Sequence, residues 1–379
     1  MRQNKKLLLL CSLCVVVLLL SRCESNEIIG NDFRGPGFAG SASCMQCHKP
    51  IYNAYSTSTH FNSTHPVSHT DTGSFQFNDS TQVRIGNLHQ IAYVNGKETE
   101  AHRMDIVFGS KHAQTFLSWR GDKTFELPLS WYLNTWGTSP GFSSTHPNFN
   151  RFIGANCFEC HSSFIGSQLA ASTAGIEEVL DKNKIIYGID CERCHGPALK
   201  HVNFHLDNPG EKQAKYLVKI SSLTRQQKLD VCAVCHSGNN KMQERSTFKF
   251  RPGDTLSHYF VVWPSKDTDT NFDVHGNQYQ LLSQSKCFTG SKIMDCSTCH
   301  DPHSNAGTDL KVYSSVCMSC HQGVQHSFGM DAQRECISCH MPSQPSRAIT
   351  FQTVSQGPRM AYLLRTHRIA VYPADPVKH

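Results

Sequence analysis

The sequence predicts a mainly α chain with much irregular structure, interrupted by a small antiparallel β insert at about residues 74–130. Two observations carry that expectation. A cysteine–histidine pentapeptide recurs along the 379 residues, and the polar pieces between its copies read as short helices and loops. One long interval without it, from His48 to Cys157, switches to apolar alternation with period two, the pattern of half-buried strands.

The first 22 residues read as an export signal. Met1–Lys6 carries Arg2, Lys5 and Lys6, and the apolar run Leu7–Leu20 is short against the roughly 20 residues of a membrane span. Leu20-Ser21-Arg22-Cys23 resembles a lipobox, with Cys23 as the lipidated residue, although Arg22 stands where a small residue is usual. The expectation is a periplasmic or cell-surface lipoprotein held to the outer or inner membrane through Cys23. Without that anchor it would be a soluble periplasmic protein. Residues 23–43, rich in Gly, Ser and Asn, form a tether to the first pentapeptide.

That pentapeptide, C-x-x-C-H, occurs seven times: Cys44–His48, Cys157–His161, Cys191–His195, Cys232–His236, Cys296–His300, Cys317–His321 and Cys336–His340. Two cysteines three apart add to the vinyl groups of a haem, and the histidine beside them reaches the iron, so the spacing marks c-type haem attachment. With 22 histidines in 379 residues, one follows a given CxxC by chance about 0.06 of the time. Cys11-Ser12-Leu13-Cys14 in the leader is followed by Val15 and serves as an internal control. Structural zinc would pair two CxxC units per metal and has no use for the following histidine. The expectation is seven covalent haems c, bound through Cys44, Cys47, Cys157, Cys160, Cys191, Cys194, Cys232, Cys235, Cys296, Cys299, Cys317, Cys320, Cys336 and Cys339. Each haem replaces apolar core, which lets a chain rich in Ser, Thr, Asn and His fold.

Residues 44–379 then form one multihaem domain. After the first motif, Lys49–Thr59 fits a short helix ending near His60. About five strands follow between residues 74 and 130, with Asn95-Gly96 and Gly121-Asp122 at tight turns. Trp131–Asn150 is aromatic and irregular, suited to packing on haem edges. Beyond residue 157 the connecting pieces look helical, among them Gly175–Lys182 and Thr224–Val234, with Ser222 or Thr224 as N-cap. Ser237–Asp254 reads as a loop. Residues 341–379 wrap back over the body, carrying His367.

Charge offers no case for a nucleic-acid partner. The formal +6 falls once Arg2, Lys5, Lys6 and Arg22 leave with the signal, giving 32 basic side chains against 30 acidic. Haem propionates take the oxidised mature protein to about −5.

The motif histidines His48, His161, His195, His236, His300, His321 and His340 each provide one axial ligand. What sits opposite separates electron transfer from catalysis, because a second histidine saturates the iron and an open position admits substrate. Fifteen histidines remain for that role.

The segments IDCERCHGPALKH, QSKCFTGSKIMDCSTCHDPH and ECISCHMP resemble multihaem cytochromes c of the cytochrome c-552/4 type, related to the tetrahaem cytochromes and hydroxylamine oxidoreductases. VFGSKHAQTFLSWRGDKTFELPLSWY followed by IGANCFECHSS is similar to a subgroup with a β-rich insert after the first haem. The resemblance implies distal histidines at His60, His112, His201, His275, His303, His326 and His367, with His258 rivalling His275, and His65 and His69 rivalling His60. Cys287 stands where the family more often has methionine, and is expected as a small buried apolar residue.

Three functions remain in play. The first is electron carriage through bis-histidine haems between redox proteins, a quinol-linked donor or a partner cytochrome. The second is an oxidoreductase acting on a small nitrogen or sulfur oxyanion at one open haem, with His65, His69, His89, His102, His146 and Arg120 available as proton donors. That reading has neither an eighth motif nor a C-x-x-C-K variant to support it. The third makes the strand insert a docking surface, which a stripe of Trp119, Trp131, Tyr132 and Trp136 would favour.

Overall fold

A computed structural model of the chain describes residues 30–173, 175–238, 242–261, 271–324 and 335–373. The segment expected to be an export signal, Cys23 and His326 lie outside the described residues. The fold is not mainly α. Helix accounts for only 27% and strand for 29%, in antiparallel sheets.

Helix α1, Ser41–Tyr55, carries the first motif at a kink where His48 leaves helical geometry (φ −108°, ψ 36°) two residues before Pro50. Strands β1 (Thr64–Pro66), β2 (Gly73–Gln76), β3 (Thr81–Gly86), β4 (His89–Val94), β5 (Lys97–Arg103), β6 (Ile106–Gly109), β7 (Ala113–Arg120), β8 (Lys123–Glu126), β9 (Leu129–Tyr132), β10 (Thr135–Thr138) and β11 (Arg151–Ile153) follow. They make a four-stranded meander, β2-β3-β4-β5, and a seven-stranded sheet, β1-β6-β7-β8-β11, with β9 also on β7 and β10 on β9.

Asn95 and Gly96, both at positive φ (52° and 76°), close the β4–β5 hairpin, as their residue types require. The turn between β3 and β4 does the same with Asn87 and Leu88 (48° and 62°). Leucine rarely adopts that conformation, so no turn signal marks the position.

Both faces of the β6–β7 pair are covered. Val107 and Phe116 face a core with Phe75, Phe77 and Leu127, while Ile106 and Leu117 face a second core with Phe158, Ile165 and Leu180. This is why the larger sheet has consecutive buried residues where one-sided sheets alternate. Tyr132 and Trp136 are buried, and Trp119 and Trp131 pack against the two cores, so the aromatic residues form no surface stripe.

Helix α2 (Ala155–His161) carries the second motif, and a long hairpin, β12 (Phe164–Ser172) with β13 (Gly175–Ile186), leads to the third. Here the expected helix at Gly175–Lys182 is a strand. Val179, Leu180 and Ile176 pair across to Gln168, Ser167 and Ala171. Cross-strand pairing and burial of Leu180 override the helix preference of its Glu and Lys residues. Helices α3 (Cys191–His195), α4 (Leu199–Asp207), α5 (Arg225–His236), α6 (Gln278–Ser283), α7 (Lys286–Gly290), α8 (Leu310–Cys320) and α9 (Ile337–His340) make up the haem-dense half, with a short strand pair, β14 (Met242–Gln243) and β15 (Phe260–Val261). Thr224 caps α5 in a full capping box with Gln227. A final hairpin, β16 (Ser343–Phe351) with β17 (Met360–Arg365), returns to the strand body. There Phe351 stacks on Tyr132 at 3.8 Å and Gln352 O accepts from Thr138 N at 2.9 Å. Among the described residues no helix is long and apolar enough to cross a membrane.

Candidate haem-binding sites

The motifs share one local device. Helices α2, α3, α5 and α9 end on the motif histidine, and α8 ends on the cysteine before it. One helical turn puts both thiols on the same side, and stopping the helix frees the imidazole to turn toward the same centre. The fifth motif uses a 3₁₀ turn, Cys296–Thr298, capped by Asp295.

Opposite four motif histidines the fold places a second ring. His48 and His201 are 6.4 Å apart between ring centres and 14° from parallel. His195 and His303 are 6.0 Å apart at 13°, and His300 and His367 6.2 Å apart at 31°. His236 and His60 are 5.9 Å apart at 81°. Iron–nitrogen bonds of about 2 Å, with about 1.2 Å more from each nitrogen to its ring centre, set trans imidazoles about 6.4 Å apart. The four spacings therefore fit an iron between each pair, too wide for ring contact and too narrow for an intervening side chain.

Ligation requires a neutral imidazole, and burial favours that form at His60 and His367. It is the first cause holding His60, with His236 next, and His367, with His300 next, down to about 4. The Nδ1 of His201 donates to Lys215 O at 2.8 Å, that of His236 to Gln278 Oε1 at 3.2 Å, and that of His340 to Ala370 O at 2.9 Å. Each bond orients its ring with Nε2 presented outward, the usual second support of a metal-ligating histidine.

His161 is likewise pushed down to about 4, by burial and then by His275, which places His275 beside the second motif. Its rival His258 is exposed on a 3₁₀ turn, His69 is exposed in an irregular stretch, and His65 on β1 is half-buried. His112 sits exposed on the β6–β7 loop, with its carbonyl accepting from Leu133 N. The structure does not bring it to any motif histidine by a ring contact. His89, His102 and His146 bond locally to Asn87 O, Glu100 and the Ser143–Thr145 turn, and Arg120 lies 3.6 Å over Phe125. They converge on no common pocket.

The motifs also meet one another. Every described cysteine is free. The thiol of Cys44 contacts Cys191, Cys160 contacts Cys235, Cys232 contacts Cys296, and Cys317 contacts Cys336. The first motif therefore lies against the third, the fourth touches both the second and the fifth, and the sixth adjoins the seventh. Cys287 is half-buried near Cys299 and Cys317, less enclosed than a core residue.

Sequence reasoning passed over the carboxylates that lock these motifs together. Glu192, inside CERCH and 2% exposed, accepts from Ala39 N, Gly40 N and Ala198 N at 2.8–2.9 Å and from Arg34 at 3.1 Å. Asp190 caps α3 and pairs twice with Arg34, so the tether segment from residue 30 is bound down. Glu159, inside CFECH, accepts from Gln243, Ser246 and the backbone and hydroxyl of Thr247. The available signal was an acid between two motif cysteines, which the other five motifs lack.

The repeated thiol pairs, the helix-end histidines and the spaced partner rings define a multihaem c-type cytochrome. Comparison with known proteins agrees. The model of the cytochrome c554 and c-prime family matches residues 108–196. The chain is similar to the multiheme cytochrome MtrA of Shewanella baltica, 24% identical over 184 residues, which are 44% of this chain and 52% of the relative. It thus spans about half the length of the curated relative it matches. No solved structure matches.

Proposed function

We propose that the protein carries electrons through seven covalent haems c, of which at least the first, third, fourth and fifth are held between two histidines. The observation that carries this reading is the set of histidine pairs at 5.9–6.4 Å. Haem iron, when bound, supplies a one-electron carrier at each motif. The chain's contribution is to saturate the metal with neutral, pre-oriented imidazoles and to press neighbouring motifs together. The contact of the fourth motif with both the second and the fifth supports a path that links these three in series. Residues 44–379 act as one haem domain, exported by residues 1–22 and anchored through Cys23, with redox proteins as donor and acceptor. His275 serves the second motif, while His112 and His326 remain distal ligands that the sequence resemblance implies.

The test is haem quantification with EPR on one oxidised sample. Seven haems, all low-spin and unchanged by nitrite, hydroxylamine or sulfite, support the reading. A high-spin iron that shifts with such a ligand replaces it with an oxyanion oxidoreductase.

A further inference from the structure

We infer that Phe108 is a positioning residue for the second haem, setting the rotation of the His161 imidazole about its bond to iron. The inference rests on the reading of His161 as an axial ligand. Phe108 lies on β6, in the strand body, yet its ring is stacked on the His161 imidazole at 4.6 Å between centres and 3° from parallel. An imidazole turning about the axis through its Nε2 would drive one edge into that face. Phe108 has no room to retreat, because Phe158 from α2 stands edge-on to it at 4.9 Å and 82°. Phe158 is itself fully buried in the second core.

The backbone end of the same histidine is fixed from the same strand pair. Ser63 Oγ donates to His161 O at 2.8 Å, and the Thr64 hydroxyl donates to the same carbonyl. Thr64 is the direct cross-strand partner of Phe108 in the β1–β6 ladder. One pair of facing residues thus supplies both the carbonyl anchor and the ring clamp. The next residue, Gly109, takes a positive φ of 103°, where a Cβ would collide with Ala113 O. That tight return into β7 holds β6 in place. The four described motif–distal pairs have no aromatic side chain other than a histidine stacked in this way on the motif histidine.

The plane of an axial imidazole orients the iron orbitals, so this contact sets the g-anisotropy of one haem without touching its ligand identity. Three variants test it: F108L removes the flat face, F108Y keeps it, and F108M stands in for F108L should that variant fail to accumulate. Each is purified, its haem counted and its oxidised EPR spectrum recorded. The expected result is an unchanged haem count, displacement or broadening of one low-spin feature in F108L or F108M, and restoration of the wild-type spectrum in F108Y. Superposition of the ring-less variant on wild type overturns the inference. So does a general loss of haem, or a change spread over several features, which would mark Phe108 as structural only. A wild-type protein with no haem at Cys157 and Cys160 by peptide mass mapping would instead sink the reading on which the inference rests.

Discussion

Glu192→Ala tests whether a carboxylate inside a haem motif holds the N-terminal segment to the haem body. The side chain accepts three backbone N–H bonds and one from Arg34, all away from water. Its removal leaves one buried and two part-buried N–H groups unpaired at about 1–3 kcal/mol each, and strips one partner from a buried arginine. Part of that loss is recovered as water enters, so about 3–6 kcal/mol is expected for Glu192→Ala. Glu192→Gln keeps an oxygen for Ala39 and Ala198 but turns an amide toward the Gly40 N–H and Arg34, a loss of about 2–3 kcal/mol. The assay is urea unfolding of the haem-loaded protein by circular dichroism at matched m-value. Limited proteolysis follows the segment between residues 30 and 40, which should open before the body does. A Glu192→Ala protein within about 0.5 kcal/mol of wild type, with that segment still protected, refutes the reasoning.

Other outcomes follow from the same geometry. Burial pushes the Glu126 carboxyl up to about 7, against a smaller opposing pull from Arg151. Its contribution to stability is whole below about 4.5 and lost as pH rises through about 7, a fall of about 3 kcal/mol. Glu126→Gln should flatten the pH dependence of urea stability between pH 5 and 8, and parallel curves for the two proteins would contradict this. His201→Ala and His367→Ala should each convert one iron to high spin at an unchanged haem count, read by EPR. A fully low-spin His201→Ala protein would show that the His48–His201 spacing is incidental. His112→Ala tests the distal role assigned to that exposed loop residue: one iron should turn high-spin at an unchanged haem count, and a fully low-spin spectrum would remove His112 from the ligand set.

What the sequence determined by itself was the kind of chemistry. C-x-x-C-H is a covalent and coordinative unit contained in five consecutive residues, so its meaning needs no fold. The same holds for local geometry: Asn95-Gly96 made its turn and Thr224 capped its helix, because φ preference and capping act within a few residues.

The balance of helix and strand was decided by pairing between distant segments. Gly175–Lys182 became strand because Phe164–Ser172 was there to pair with it, and β16–β17 formed after a motif with no alternating pattern to mark it. The partner of each motif histidine was a matter of tertiary structure too. His60, twelve residues after His48, stands opposite His236, while His48 faces His201. Neighbours in the chain are held apart by the very helix that orients them, so the second ring must come from another element. The burial of the locking carboxylates Glu159 and Glu192 was likewise decided by the fold. Burial is a property of everything packed around a residue, and no short stretch of sequence contains it.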